Sequence, residues 1–116
     1  MIRTGLHRAS SFPWRDDNEF QLLIDGQQFY PAMLRAIAAA RSHVLLEMYL
    51  VESGHVTNRF VDALRAAADR GAPVFVLLDD FGARGLQHRD RERLNHHNIK
   101  LAFFNRLRMK VFHKRN

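Results

Sequence analysis

Four groups of side chains in this sequence are of types and spacings that could do chemistry. Asp79-Asp80 closes the apolar run Pro73 to Leu78. A carboxylate pair at the C-terminal end of a buried strand lies where open α/β sheets place their sites, so magnesium binding or phosphoryl acceptance is one chemistry for it. Asp is also a common turn residue, and beside Gly82 a loop-capping role is the stronger expectation. Glu47 interrupts the run His43 to Val51, and a carboxylate removed from water needs a partner. It serves either a pocket or a structural pair, and the pair is expected. His96-His97 are adjacent, so one side of a helix cannot aim both at a metal as an i, i+4 pair would, and a surface location is expected. Arg106, Arg108 and Lys110 alternate with Leu107, Met109 and Val111. If extended, that segment carries three cations on one side and three apolar groups on the other. Such a segment suits an anionic phospholipid surface or a basic edge strand whose charges discourage aggregation.

No Gly-rich phosphate loop, Gly-x-Ser-x-Gly elbow or Ser/His/Asp order can be assembled, so no catalytic residue, metal set or cofactor site is expected within the chain. Cysteine is absent, which excludes disulfides, thiolate metal sites and a cysteine nucleophile.

These groups depend on elements that alternate between strand and helix. Strands are expected near 20–24, 44–51, 73–78 and 99–104. The run His43 to Val51 is apolar at nearly every position, the pattern of a strand covered on both faces, and should be central in its sheet. Between the strands, Phe29, Met33 and Ile37 recur at i, i+4, i+8 in a helix over 27–41, capped by Asp25 and with Pro31 in its first turn. Thr57 caps a second helix over 57–70, which carries Phe60, Val61, Leu64 and Ala68 on one face and has Gly71 just past its end. A weaker helix from about Leu86 to His97 is anchored by Leu86 and Leu94. The expected fold class is therefore α/β, a mainly parallel sheet flanked by helices. Residues 1–15 read as an N-terminal extension and 16–116 as one α/β unit.

At 116 residues and 47% hydrophobic content the chain can build one core. Its longest apolar run falls far short of the ~20 residues that span a bilayer. Arg3 and Arg8 are not followed by the apolar block of a signal peptide. Residues 1–83 hold 8 Lys/Arg against 10 Asp/Glu, and residues 84–116 hold 10 against 2. The overall charge of +6 is thus a property of the C-terminal third, which points to an anionic partner. A non-catalytic basic α/β module binding anionic lipid or nucleic acid is the alternative reading, although no nucleic-acid motif supports the second ligand. A receiver-domain reading fails on order, because the acidic pair follows the third strand rather than the first.

Two stretches carry a family resemblance. They are Asn18-Glu-Phe-Gln-Leu-Leu-Ile-Asp-Gly-Gln-Gln-Phe-Tyr-Pro, running on through Leu46-Glu-Met-Tyr, and Phe60-Val-Asp-Ala-Leu-Arg through Val76-Leu-Leu-Asp-Asp-Phe-Gly. They resemble the start of bacterial cardiolipin synthases of the phospholipase D superfamily, over about residues 14–116. The likeness is nearest to the short branch without N-terminal membrane helices. The resemblance implies an enzyme of two halves, each with one His-x-Lys-x-x-x-x-Asp motif. One histidine attacks phosphorus to form a phosphohistidine and the other protonates the leaving alkoxide, while the lysines stabilise phosphoryl charge. Neither motif occurs here, since His113-Lys114-Arg115 is His-Lys-Arg. The expectation is an incomplete phospholipase D-like domain, Arg115-Asn116 falling just before the first motif and the active-site strand in a missing C-terminal remainder. The fragment would be inactive alone. Its parent would be a phosphatidyltransferase of phospholipid biosynthesis, cytoplasmic and peripheral to the inner membrane, meeting anionic phospholipid through Arg106, Arg108 and Lys110.

Overall fold

The computed structural model describes residues 13–106. Helix α1 spans Asp25–Ala39 and starts two residues before the expected position. Asp25 sets that start. Its backbone is left-handed (φ 53°), a conformation an Asp tolerates, and its Oδ1 accepts the N–H of Gln27 at 2.9 Å. In return Gln28 Oε1 accepts the N–H of Ile24 at 2.7 Å, so two amides at the helix start find side-chain partners. Pro31 therefore lies in the second turn rather than the first, and it removes one helical N–H. At the other end the Ile37 carbonyl accepts the N–H of Ala40 at 3.3 Å, and Arg70 reaches across to the same oxygen at 3.0 Å, placing a cation at the helix C-terminus.

Strand β1 is Val44–Met48, followed by helix α2, His55–Asp69. Thr57 does not cap α2. The helix begins two residues earlier, and the Thr57 hydroxyl donates to the carbonyl of Glu52 at 2.5 Å. Val61, Leu64 and Ala68 are buried as the spacing predicts. Gly71, at φ 92°, ends the helix: its N–H donates to Ala68 and that of Ala72 to Ala67, the paired bonds of a Schellman turn. Strand β2 is Val74–Asp79, helix α3 is His88–Arg93, and strand β3 is Ile99–Phe104. Helix α3 is shorter than expected because Leu86 and Leu94 are buried on either side of it rather than within it.

The strands are parallel in the order β1-β2-β3, with Val44 level with Val74 and Val74 level with Ile99. This is the expected α/β class, with two corrections. The central strand is β2, and β1 is an edge among the described residues. Residues 20–24 form no strand: Phe20, Leu22 and Ile24 alternate and are exposed, but no ladder partner stands beside them among the described residues. Consecutive strand order places both crossovers on the same face, and α2 packs there against β2 and β3, flanked by α1 and α3. Val61, Leu64, Ala67 and Ala68 meet Val74, Val76, Leu78 and Ile99 in a single core. The opposite face carries Leu45, Phe75, Ala102 and Phe104 and is open.

Candidate functional site

The best-formed site lies at the C-terminal ends of β1 and β2, where two loops run side by side. The N–H of Val51 donates to Gly82 (3.1 Å) and that of Ser53 to Gly85 (2.9 Å), so backbone pairing continues past the end of the sheet. Glycine is required at 82 because a Cβ there would lie 1.8 Å from the carbonyl oxygen of Tyr49. Asp79 behaves as the loop-capping residue expected. Its Oδ1 accepts the N–H of Phe81 at 3.0 Å and of Gly82 at 2.9 Å, which fixes the turn after β2. The backbone N–H of Asp80 donates to Phe104 at 3.0 Å and ties that turn to the end of β3.

Asp90, in the polar helix α3, is fully buried. Its carboxylate accepts the Ser53 hydroxyl at 2.5 Å and Arg93 Nη1 at 3.2 Å. Arg93 reaches on to Asn58 Oδ1 at 2.9 Å and Asp62 Oδ1 at 2.5 Å, and Ser53 Oγ accepts the N–H of Gln87 at 2.8 Å. The hydrogen bond from Ser53 holds the Asp90 carboxyl below the ordinary aspartate range. Burial opposes that shift, and Arg93 and Arg89 reinforce it. This network pins the β1–α2 loop to α3. Sequence reading missed it. The available signal was the Asp90/Arg93 pair at i, i+3, but Ser53 lies 37 residues away.

Behind the loops is a cleft of about 600 Å³ whose wall is mainly apolar, with Tyr30, Met48, Phe60 and Leu86 inside and Leu50 and Val56 at its mouth. Its polar lining includes Ser53 and Thr57, whose hydroxyls are engaged by Asp90 and by the Glu52 carbonyl. Glu52 and His55 also line it, but neither hydroxyl donates to the His55 ring or the Glu52 carboxylate. The arrangement can hold an apolar group, and no hydrogen-bonded nucleophile and base line it among the described residues.

The other sequence-predicted residues lie elsewhere. Glu47 is exposed on the open face of β1, which corrects the expectation of a buried structural pair. The run around it is apolar on both sides, yet only Val44, Leu46 and Met48 face the helices. His97 is exposed as expected, whereas His96 is half-buried: its Nδ1 accepts the N–H of Asn98 at 3.0 Å and its Nε2 meets Asp69 Oδ1 at 2.9 Å. The first bond places the neutral-ring proton on Nε2. No group of three or more His, Cys, Asp or Glu able to hold a metal exists among the described residues. Arg106 is exposed two residues past β3, its guanidinium 5.9 Å from the ring centre of Phe103. Arg108, Lys110 and His113 lie outside the described residues.

No protein-family model matches the chain. Individual relatives do. The chain is 42% identical over 73 residues to cardiolipin synthase B of Salmonella typhimurium, covering 63% of the chain and 18% of that protein. It is 41% identical over the same length to cardiolipin synthase B of Escherichia coli K12, and 32% identical over 100 residues to cardiolipin synthase A of Pseudomonas aeruginosa. The last match covers 86% of the chain and 20% of the relative. The chain is thus a homologue of cardiolipin synthases over part of its length and spans about a fifth of the relatives it matches. No helix among the described residues is long and apolar enough to cross a membrane.

Proposed function

We propose that this chain is the N-terminal part of a phospholipase D-like phosphatidyltransferase of phospholipid biosynthesis, cardiolipin synthase-like in its chemistry. The observation that carries this reading is the 42% identity over 73 residues to cardiolipin synthase B. In the reaction a histidine attacks the phosphorus of a phospholipid headgroup, the P–O bond to the leaving alcohol breaks, and a second histidine protonates that alkoxide. The hydroxyl of an acceptor lipid then attacks the phosphohistidine, gives its proton back and frees the histidine. None of the chain's seven histidines has the lysine two positions on that the motif requires. The 116 residues supply scaffold, and both catalytic histidines come from further polypeptide. The working location is the cytoplasmic face of the inner membrane, with anionic phospholipid as partner and Arg106, Arg108 and Lys110 beside the lipid.

The test compares the product of the whole reading frame with residues 1–116 on vesicles containing phosphatidylglycerol, cardiolipin being measured by mass spectrometry. The whole-frame protein makes cardiolipin and residues 1–116 do not. Turnover by residues 1–116, or a phosphohistidine at His113, would overturn this reading.

A further inference from the structure

Four exposed hydrophobic side chains, Tyr49, Leu50, Val56 and Phe81, project from the β1–α2 segment and the β2–α3 loop at one end of the sheet. Leu50 is 70% exposed and Phe81 56%. Single exposed apolar residues are ordinary, but a contiguous group marks an interaction surface. These side chains form one group because the loops are bonded together, Val51 to Gly82 and Ser53 to Gly85, with Gly82 against the backbone of Tyr49.

We infer that this loop edge is a membrane-docking surface, with Leu50 and Phe81 entering the interfacial layer of an anionic phospholipid bilayer and Arg84 lying beside lipid phosphate. The inference rests on the phosphatidyltransferase reading, from which the lipid partner comes. Charge favours that occupant. The exposed Arg84 guanidinium stands 4.7 Å over the Phe81 ring, so a cation accompanies one of the two exposed aromatic groups of this edge. The exposed Arg106 lies 5.9 Å from the Phe103 ring at the end of the neighbouring strand, whereas Arg91, 5.0 Å from the same ring, is held by the carbonyls of Leu86 and Ala83. Of the acids at this end, Asp79 is turned onto its own loop amides, Asp80 is partly buried and engaged, and Glu52 remains exposed. Aromatic and aliphatic tips with cations beside them match a layer that is apolar below and anionic above. The loops are also held in place, by Asp79, by Gly82 and by Ser53 on Asp90, so docking requires little ordering of the backbone. The open face of the sheet differs: Leu45 is level with Phe75, and Leu77 with Ala102, on paired strands rather than on projecting loops, the form of a packing surface.

Single-tryptophan chains test the assignment. With Trp14 replaced by Phe, tryptophan is placed at Leu50, Phe81 or Phe75 and its fluorescence is read against vesicles of brominated phosphatidylglycerol. Quenching is expected at positions 50 and 81 and not at 75, and it should fade when phosphatidylcholine replaces the anionic lipid. In flotation, Leu50→Glu with Phe81→Glu should weaken binding by about tenfold or more, with the melting transition unchanged. No quenching at 50 and 81, or equal quenching at 75, overturns the proposal. So does a tryptophan at 50 or 81 already buried in the whole-frame protein without lipid, because a protein segment then covers the edge. Cardiolipin formation in detergent micelles separates the two readings. Activity without quenching sinks the docking edge alone, and quenching without activity sinks the phosphatidyltransferase alone.

Discussion

On one face of β2 the side chains of Val76 and Leu78 are 3% and 2% exposed beneath α2, while on the other Phe75 is 38% exposed and its neighbour Leu45, on β1, 71%. The residue types differ little between the faces, and the coverage differs almost completely. Parallel sheets are ordinarily covered on both sides. The open face here keeps the composition of a covered one, interrupted by Glu47 and Lys100. The strands are therefore written for two layers, and the described residues supply one.

Truncating the same residue type on the two faces measures that difference most directly. Leu78→Ala should cost about 2–5 kcal/mol, because the core closes imperfectly over the cavity. Leu45→Ala should stay within about 0.5 kcal/mol, as exposed substitutions do. Chemical denaturation of the two variants checks this, and equal losses would show that the open face is covered after all. A smaller effect is expected from Gly82→Ala, which sets a methyl group against the Tyr49 carbonyl. A loss of about 1–3 kcal/mol is expected as the two loops part.

Removing the charge of Asp90 tests the polar side of the covered layer. Asp90→Asn weakens the bonds to Ser53 and Arg93 and should cost about 1–2 kcal/mol near neutral pH. The folded-state pKa of Asp90 is lowered, so its ionised form contributes stability that is fully present above the ordinary aspartate value. That contribution is lost as pH falls from about 5 through the folded pKa. The gap between native and Asn chains should narrow over that acid range in pH-dependent melts, and a constant gap would mean that the network does not depend on the charge.

The parts of this fold that sequence made legible are those fixed locally. The limits of β3, the helix stop at Gly71 and the buried stripe Val61, Leu64, Ala68 follow from neighbours a few residues away. Asp79 as a turn residue was legible for the same reason. What was misread depends on distant chain. The apolar run of β1 looks central because a continuous pattern reports that both faces want covering, not that both are covered. Residues 20–24 have the alternation of a strand, but a strand also needs a ladder partner. Asp90 sits in a sequence that reads as a solvated helix, and Ser53, which satisfies its buried carboxylate, is 37 residues away. Of the three predicted lipid-binding cations, Arg106 alone falls within the described residues.

The smallest expected change in stability accompanies the most visible change in behaviour. An isolated 116-residue chain with Leu45, Phe75 and Phe104 open to water should self-associate through that face, since contiguous exposed apolar surface and a free strand edge both favour pairing. Replacing Leu45 with Lys and Phe75 with Thr keeps a residue that suits a strand at the central position and puts a charge at the edge. Sedimentation velocity across a concentration series should then show the native chain growing in size and the double variant remaining a monomer, while their unfolding curves nearly coincide. A native chain that stays monomeric throughout would mean that this face is tolerated bare. The contrast between the two faces would then describe a finished surface rather than a layer still to be added.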